Sequence, residues 1–221
     1  KDVLELIREL NPPLIRYPAG TYIKIFDWKD GIGPKELRPR KRNLIWGGVE
    51  DNQFGTAEFI TYCRKLGAEP NLVVNMSTGT AMDAANWVEY CNGTTDSYYA
   101  NLRRSHGYPE PFNVRYWALG NEEAAEPDAG RLQDPEEYVK EAWQFAKLMK
   151  LQDPSIKLVL CGEDMAWNKK VLDDMNAAAD FLSVHVYVNS GTENKYGTLL
   201  KNIMNFERRI QLLDSLVSSY P

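Results

Sequence analysis

Apolar and polar positions along the chain switch between two periods. Short apolar runs at residues 13–17, 71–76, 114–119, 157–161 and 181–188 read as strands, each bounded by polar or turn-forming residues. Between them, apolar residues recur every three or four positions. Phe54, Ala57, Ile60 and Cys63 mark one face of a predicted helix over 53–66, which Gly67 stops. Similar spacing predicts helices over 81–91, 98–105, 168–178 and 199–216. The clearest helix start is Asp134-Pro135-Glu136-Glu137: Asp134 can cap, Pro135 suits the first helical position, and Glu137 can bond back. Tyr138, Ala142, Phe145 and Met149 then line one face, and Asp153-Pro154 ends the helix. The first residues already follow a helical pattern (Val3, Leu4, Leu6, Ile7, Leu10), so an upstream segment is expected.

Five strands, each followed by a helix, predict an α/β chain with a parallel sheet and crossover helices. Two architectures compete, an open doubly wound sheet and a (β/α)8 TIM barrel. Gly31-Ile32-Gly33 follows no clean strand and opens no helix, so it fails as a dinucleotide fingerprint. Polar residues instead close strand after strand: Arg16, Asn75, Asn121 with Glu122, and His185 with Tyr187. Chemistry gathered from several strand tips describes a barrel's active face. Five strands cannot close such a barrel, so the fold is expected to be a (β/α)8 barrel present only in part. The long irregular stretch 22–48, with Trp28, Trp46 and a basic cluster over 35–42, is expected to be an ordered functional loop.

Composition narrows the partners. A net charge of −5 disfavours nucleic acid and anionic membrane, both of which select a basic face. No apolar stretch approaches the roughly 20 residues of a membrane span. Cys63, Cys91 and Cys161 are odd in number and widely spaced, which predicts buried, reduced thiols rather than a disulfide framework or a zinc site, and leans toward the cytoplasm. Only two histidines occur, so no metal centre is expected and no organic cofactor is called for.

The run Tyr116-Trp117-Ala118-Leu119-Gly120-Asn121-Glu122 carries the chemistry. An apolar strand ending in Asn-Glu places a carboxyl where it can protonate a glycosidic oxygen. Partial desolvation is expected to raise the pKa of Glu122 toward working pH. Asn121 would bond a sugar hydroxyl. Arg16 would anchor the carboxylate geometry or form a structural ion pair, and Asn75 would bind substrate or simply satisfy the strand end. His185 and Tyr187, two apart on one strand, would face one side. Glu123 and Glu126 are expected in a solvated loop. Glu163 and Asp164 are the in-chain alternatives for a second carboxylate.

The ordered set of motifs resembles glycoside hydrolase family 51, the α-L-arabinofuranosidases. It includes Arg16-Tyr17-Pro18-Ala19-Gly20, Asp27-Trp28-Lys29-Asp30-Gly31-Ile32-Gly33-Pro34, Trp46-Gly47-Gly48-Val49-Glu50, Asn52-Gln53-Phe54-Gly55, Gly120-Asn121-Glu122 and His185-Val186-Tyr187. The resemblance implies a (β/α)8 barrel of which residues 1–221 supply about strands 2 to 6. It implies an added β-sandwich, and retaining hydrolysis by two glutamates acting on a carbohydrate substrate. Glu122 matches the acid/base at the fourth strand. Arg16, Asn75, Asn121 and Tyr187 match residues around the sugar, with Thr21 and His185 expected in the same surroundings, and Trp46 matches an aromatic wall of the cleft. The nucleophile belongs to the seventh strand, outside this chain. This section alone is therefore expected to be inactive, and its open edge to need the missing half, a partner chain or a second copy. Ala19, where a glycine is usual, is expected to strain the turn, and Thr21 to alter a polar contact near the sugar. Glu123-Ala124 stands where Met-Asp is more usual.

Overall fold

The computed structural model describes residues 3–124, 132–188 and 196–220. Seven α-helices and seven strands occur among them. Five strands form one sheet: β1 (Leu14–Tyr17), β4 (Glu69–Val74), β5 (Tyr116–Leu119), β6 (Lys157–Leu160) and β7 (Phe181–Leu182). Every pairing in it is parallel, and the spatial order β1-β4-β5-β6-β7 follows the sequence without reversal. A doubly wound sheet reverses its order at a switch point. A sheet that keeps adding strands on the same side is a section of barrel wall, as the pattern of strand tips predicts.

Helices cover one face of this wall. Leu72, Trp117 and Leu158 stand in register, and all are fully buried. Trp117 meets the ring of Trp87 edge to face, with centroids 5.5 Å apart. Trp87 lies on α3 (Ala81–Asn92), which packs against α5 (Pro135–Gln152). The predicted start of α5 holds, with Asp134 Oδ1 accepting from the backbone N–H of Glu136 and Glu137. The opposite face carries Arg16, Asn71, Tyr116 and Lys157 at one level.

Some boundaries move. α2 runs Thr56–Leu66, three residues shorter than its apolar spacing predicts, and Phe54 lies outside it and is half exposed. Gly55 takes the cap because it touches the loop before it. Residues 181–188 are not one strand: β7 ends at Leu182, and residues 183–188 run on without regular structure. The 22–48 stretch is ordered, as expected. It folds into three short 3-10 turns and then a hairpin of β2 (Lys41–Arg42) with β3 (Val49–Glu50). Arg38 pins it, donating to the carbonyls of Gly33 and Asn52 and to both oxygens of Glu58. The three cysteines are free and buried, as expected.

Candidate active site

The C-terminal ends of the sheet strands converge on Glu122. Two donors meet its Oε1: His185 Nδ1 at 2.6 Å and the Tyr187 hydroxyl at 3.1 Å. Among the described residues no donor reaches Oε2. Arg16, from the tip of β1, donates to Asn121 Oδ1 at 2.9 Å and lies 3.4 Å from His185 Nε2. A guanidinium offers only protons. Facing Nε2, it leaves Nδ1 of the imidazole to donate to the carboxylate. It also fixes the Asn121 amide with its oxygen inward. Asn121 Nδ2 is buried and has no partner among the described residues. A buried amide donor left open in this way calls for an explanation.

Neighbouring elements hold the tip in place. Tyr138 of α5 is fully buried; its hydroxyl donates to the Leu119 carbonyl and accepts from Cys161 N–H, joining the ends of β5 and β6 where their ladder stops. Trp167 Nε1 donates to the Cys161 carbonyl. Burial pushes both Tyr138 and Cys161 up, the latter to about 12, so neither ionises in the working range.

The carboxyl of Glu122 departs from expectation. Its partial burial raises the pKa, but the hydrogen bonds from His185 and Tyr187, and then the charges of His185 and Arg16, outweigh that and lower it. An apolar strand leading to a carboxylate says nothing of donors delivered from β7 and beyond, so desolvation alone was the wrong guide. His185 and Tyr187 do face the same group, although no strand sets their spacing.

The other predicted residues divide. Asn75 uses all its amide capacity within the protein: Nδ2 donates to the Phe26 carbonyl and Thr78 Oγ1, while Oδ1 accepts from the N–H of Ser77 and Thr78. That is the strand-end satisfaction named as its alternative. Arg16 binds Asn121 and acts on Glu122 only through its field. Thr21 is buried at the start of the 3-10 turn Thr21–Ile25. Trp46 is 71% exposed in the β2–β3 loop, its N–H bonded to Asn43 Oδ1, and among the described residues no hydrogen bond or ring contact joins it to the Glu122 cluster. Tyr187 is 81% exposed although its hydroxyl is engaged. Ala19 is exposed, and the left-handed residue of its turn is Gly20, with φ of 69°, so the methyl group meets no backbone penalty.

Glu123 corrects the sequence reading outright. It is fully buried, not solvated: Oε2 accepts from Ser77 Oγ at 3.0 Å and Oε1 from Asn121 N–H at 3.3 Å. Glu126 lies outside the described residues. Lys24, also fully buried, donates to the Glu122 carbonyl at 3.1 Å, and the sequence flagged it nowhere. Its only signal was a lysine at the centre of the apolar run Tyr22-Ile23-Lys24-Ile25-Phe26. Of the alternative carboxylates, Asp164 caps α6 (Met165–Met175) through Trp167 N–H. Glu163 is raised by burial and then by the charges of Glu122 and Asp164, against Arg209 and His185. Among the described residues no group of three or more His, Cys, Asp or Glu is arranged to hold a metal.

A parallel, sequentially ordered wall with polar groups gathered at its C-terminal strand ends defines a (β/α)8 barrel section. Comparison with known proteins makes the class particular. A family model described as the alpha-L-arabinofuranosidase 1 domain matches residues 6–208, and the chain belongs to that family. It is similar to the probable alpha-L-arabinofuranosidase C of Aspergillus clavatus, at 43% identity over 98% of this chain and 45% of that protein. It is also similar to the intracellular exo-alpha-(1->5)-L-arabinofuranosidase 1 of Bacillus subtilis, at 40% identity over 99% of this chain and 43% of that one. Among solved structures, the alpha-L-arabinofuranosidase of Thermotoga maritima in its arabinose complex aligns with a TM-score of 0.92 and 40% identity, over 99% of this chain and 45% of that chain. The thermostable family 51 enzyme of Thermotoga petrophila aligns with a TM-score of 0.91, also at 40% identity, over 99% of this chain and 45% of that one. The chain thus spans about half the length of the curated relatives it matches.

Proposed function

We infer that the protein carrying this chain is a retaining glycoside hydrolase that removes α-L-arabinofuranosyl residues from plant polysaccharides or oligosaccharides. The observation that carries this reading is the Arg16–Asn121–Glu122–His185 cluster, in which, among the described residues, one oxygen of the carboxyl and one amide donor next to it in sequence are left uncommitted. Glu122 is the general acid/base. It gives its proton to the leaving oxygen, then takes one from the water that releases the sugar. Asn121 Nδ2 donates to a sugar hydroxyl next to the anomeric carbon, a contact that tightens as positive charge develops. Thr21, Trp46, Asn75, His185 and Tyr187 complete the surroundings of the substrate, with Asn75 acting by holding its turn.

A second carboxylate, about 5–5.5 Å from the first, attacks the anomeric carbon in retaining enzymes. The family resemblance assigns it to the seventh barrel strand, which lies with the first strand, the last strand and a β-sandwich in the rest of the protein. The two uncovered sheet edges at β1 and β7 support completion of the barrel by those strands, as do apolar residues exposed on the first helix, α1 (Val3–Glu9), and the last, α7 (Tyr196–Val217). The charge of that carboxylate would also offset the lowering of Glu122. The exo-acting name of the Bacillus subtilis relative favours removal of terminal residues over internal cleavage of xylan or glucan.

Replacing Glu122 with Gln in the full-length protein tests the reading. The rate on unactivated arabinosides falls about 10²–10⁴-fold, while arabinosides with a good leaving group lose far less in the sugar-transfer step. Undiminished hydrolysis of unactivated arabinosides would refute it.

A further inference from the structure

Glu122 holds its backbone at a φ of 47°, and Gly120, two residues earlier, at 82°. Glycine takes that region freely, but a glutamate does not. A residue kept there must be held by its surroundings. The groups that hold it are two buried side chains, one bonded to its own carbonyl and one to the N–H of the residue before it.

Lys24 donates from Nζ to the carbonyl of Glu122 itself. Glu123 accepts from the N–H of Asn121, the residue before it, and its second oxygen takes the Ser77 hydroxyl from the turn that closes β4. The chain bends closely around this carboxylate: a Cβ placed on Gly120 would stand 2.6 Å from Glu123 Oε1. Both side chains are 0% exposed. Ending a strand does not require two buried ionisable side chains, and burying them is costly unless their bonds are well made.

We propose that Lys24 and Glu123 are positioning residues for the acid/base: together they lock the left-handed turn that aims Glu122 at the glycosidic oxygen. This rests on the reading of Glu122 as proton donor. It predicts a defect in proton delivery, because sugar binding belongs to other groups.

The test uses the full-length protein with Glu123→Gln, Lys24→Met and Ser77→Ala, assayed on an unactivated arabinoside and on a dinitrophenyl arabinoside. Misplacement of an acid by about 1 Å can cost about 100-fold. Glu123→Gln and Lys24→Met lower kcat on the unactivated substrate about 10- to 100-fold, with KM within about 3-fold, and lose less than about 3-fold in kcat/KM, which reports the sugar-transfer step, on the activated one. Ser77→Ala shifts the same ratio less, and it decides the matter if the charge variants fail to fold, since it removes only a neutral hydroxyl. Equal losses on both substrates, or lower thermal stability with an unchanged ratio, would overturn the proposal. Glu122→Gln is the reference. If it shows no dependence on the leaving group, the acid/base reading itself fails; if it does and the three variants do not, only the positioning role fails.

Discussion

Tyr187 donates its hydroxyl to the same oxygen of Glu122 that His185 reaches, although the two donors have no strand between them to set their spacing. Both bonds favour the ionised carboxylate, and so depress its pKa against the opposing effect of burial. A general acid must carry its proton, so the rate falls as pH rises through that pKa. Tyr187→Phe deletes one of the two donors, raises the Glu122 pKa and moves the alkaline limb of kcat/KM to higher pH. The same change alters folding linkage. The depressed pKa lends stability that is complete above the ordinary carboxylate range and is lost as pH falls through the folded value. The variant therefore loses less stability on acidification than the parent. A pH-rate profile and denaturation at several pH values check both signs; a limb displaced toward acid would contradict them.

Asn121 offers a cleaner separation of binding from support. Arg16 holds its Oδ1, and Nδ2 is the part left over. Asn121→Asp keeps an oxygen for Arg16 and removes the donor, at almost constant shape. Loss of a contact that strengthens in the transition state costs about 2–4 kcal/mol, so kcat/KM falls about 30- to 1000-fold. The new charge raises the Glu122 pKa, so rates are compared on the plateau of each pH profile. Thermal stability stays close to the parent. A variant with parental kcat/KM on that plateau would remove Asn121 from the sugar contacts.

The strands and most helices were legible because burial on one face imposes a period, and α5 was legible down to its cap because Asp134-Pro135 has few other uses. The barrel was legible from polar tips on successive strands. What escaped depends on contacts distant in sequence. Glu123 reads as a surface acid because nothing nearby announces Ser77, 46 residues earlier, as its partner. Lys24 reads as an interruption of an apolar run because its acceptor, the Glu122 carbonyl, lies 98 residues on. The direction of the Glu122 shift depends on donors 63 and 65 residues away. The start of α2 was misplaced because the apolar period continues through Phe54, while a backbone contact at Gly55 stops the helix from extending.

That contact, between Gly55 and Gly31, also sets how the long loop sits on the barrel wall. A Cβ on Gly55 would lie 1.8 Å from the Gly31 carbonyl oxygen and 2.8 Å from its Cα. These are backbone atoms, which no rotamer change can clear. The φ of Gly55 is −134°, so the demand is for space and not for a left-handed conformation. The reverse substitution is milder, because a Cβ on Gly31 would lie 3.1 Å from Gly55 Cα, tight but within reach of a small shift. Gly55→Ala therefore destabilises the full-length protein by about 1–3 kcal/mol or more from overpacking, with some further loss because alanine is a poor helix cap. Gly31→Ala costs less. The loop that moves also carries Lys24 and Trp28, and Trp28 lies nearly parallel to Trp87 at 6.0 Å, so its displacement reaches both the α3 core and the backbone of Glu122. Thermal melts of the two variants, with kcat/KM on an unactivated arabinoside measured below their transitions, should rank Gly55→Ala as the more damaged on both counts. Equal melting temperatures, or the opposite rank, would mean that the Gly55–Gly31 contact does not set how the loop sits.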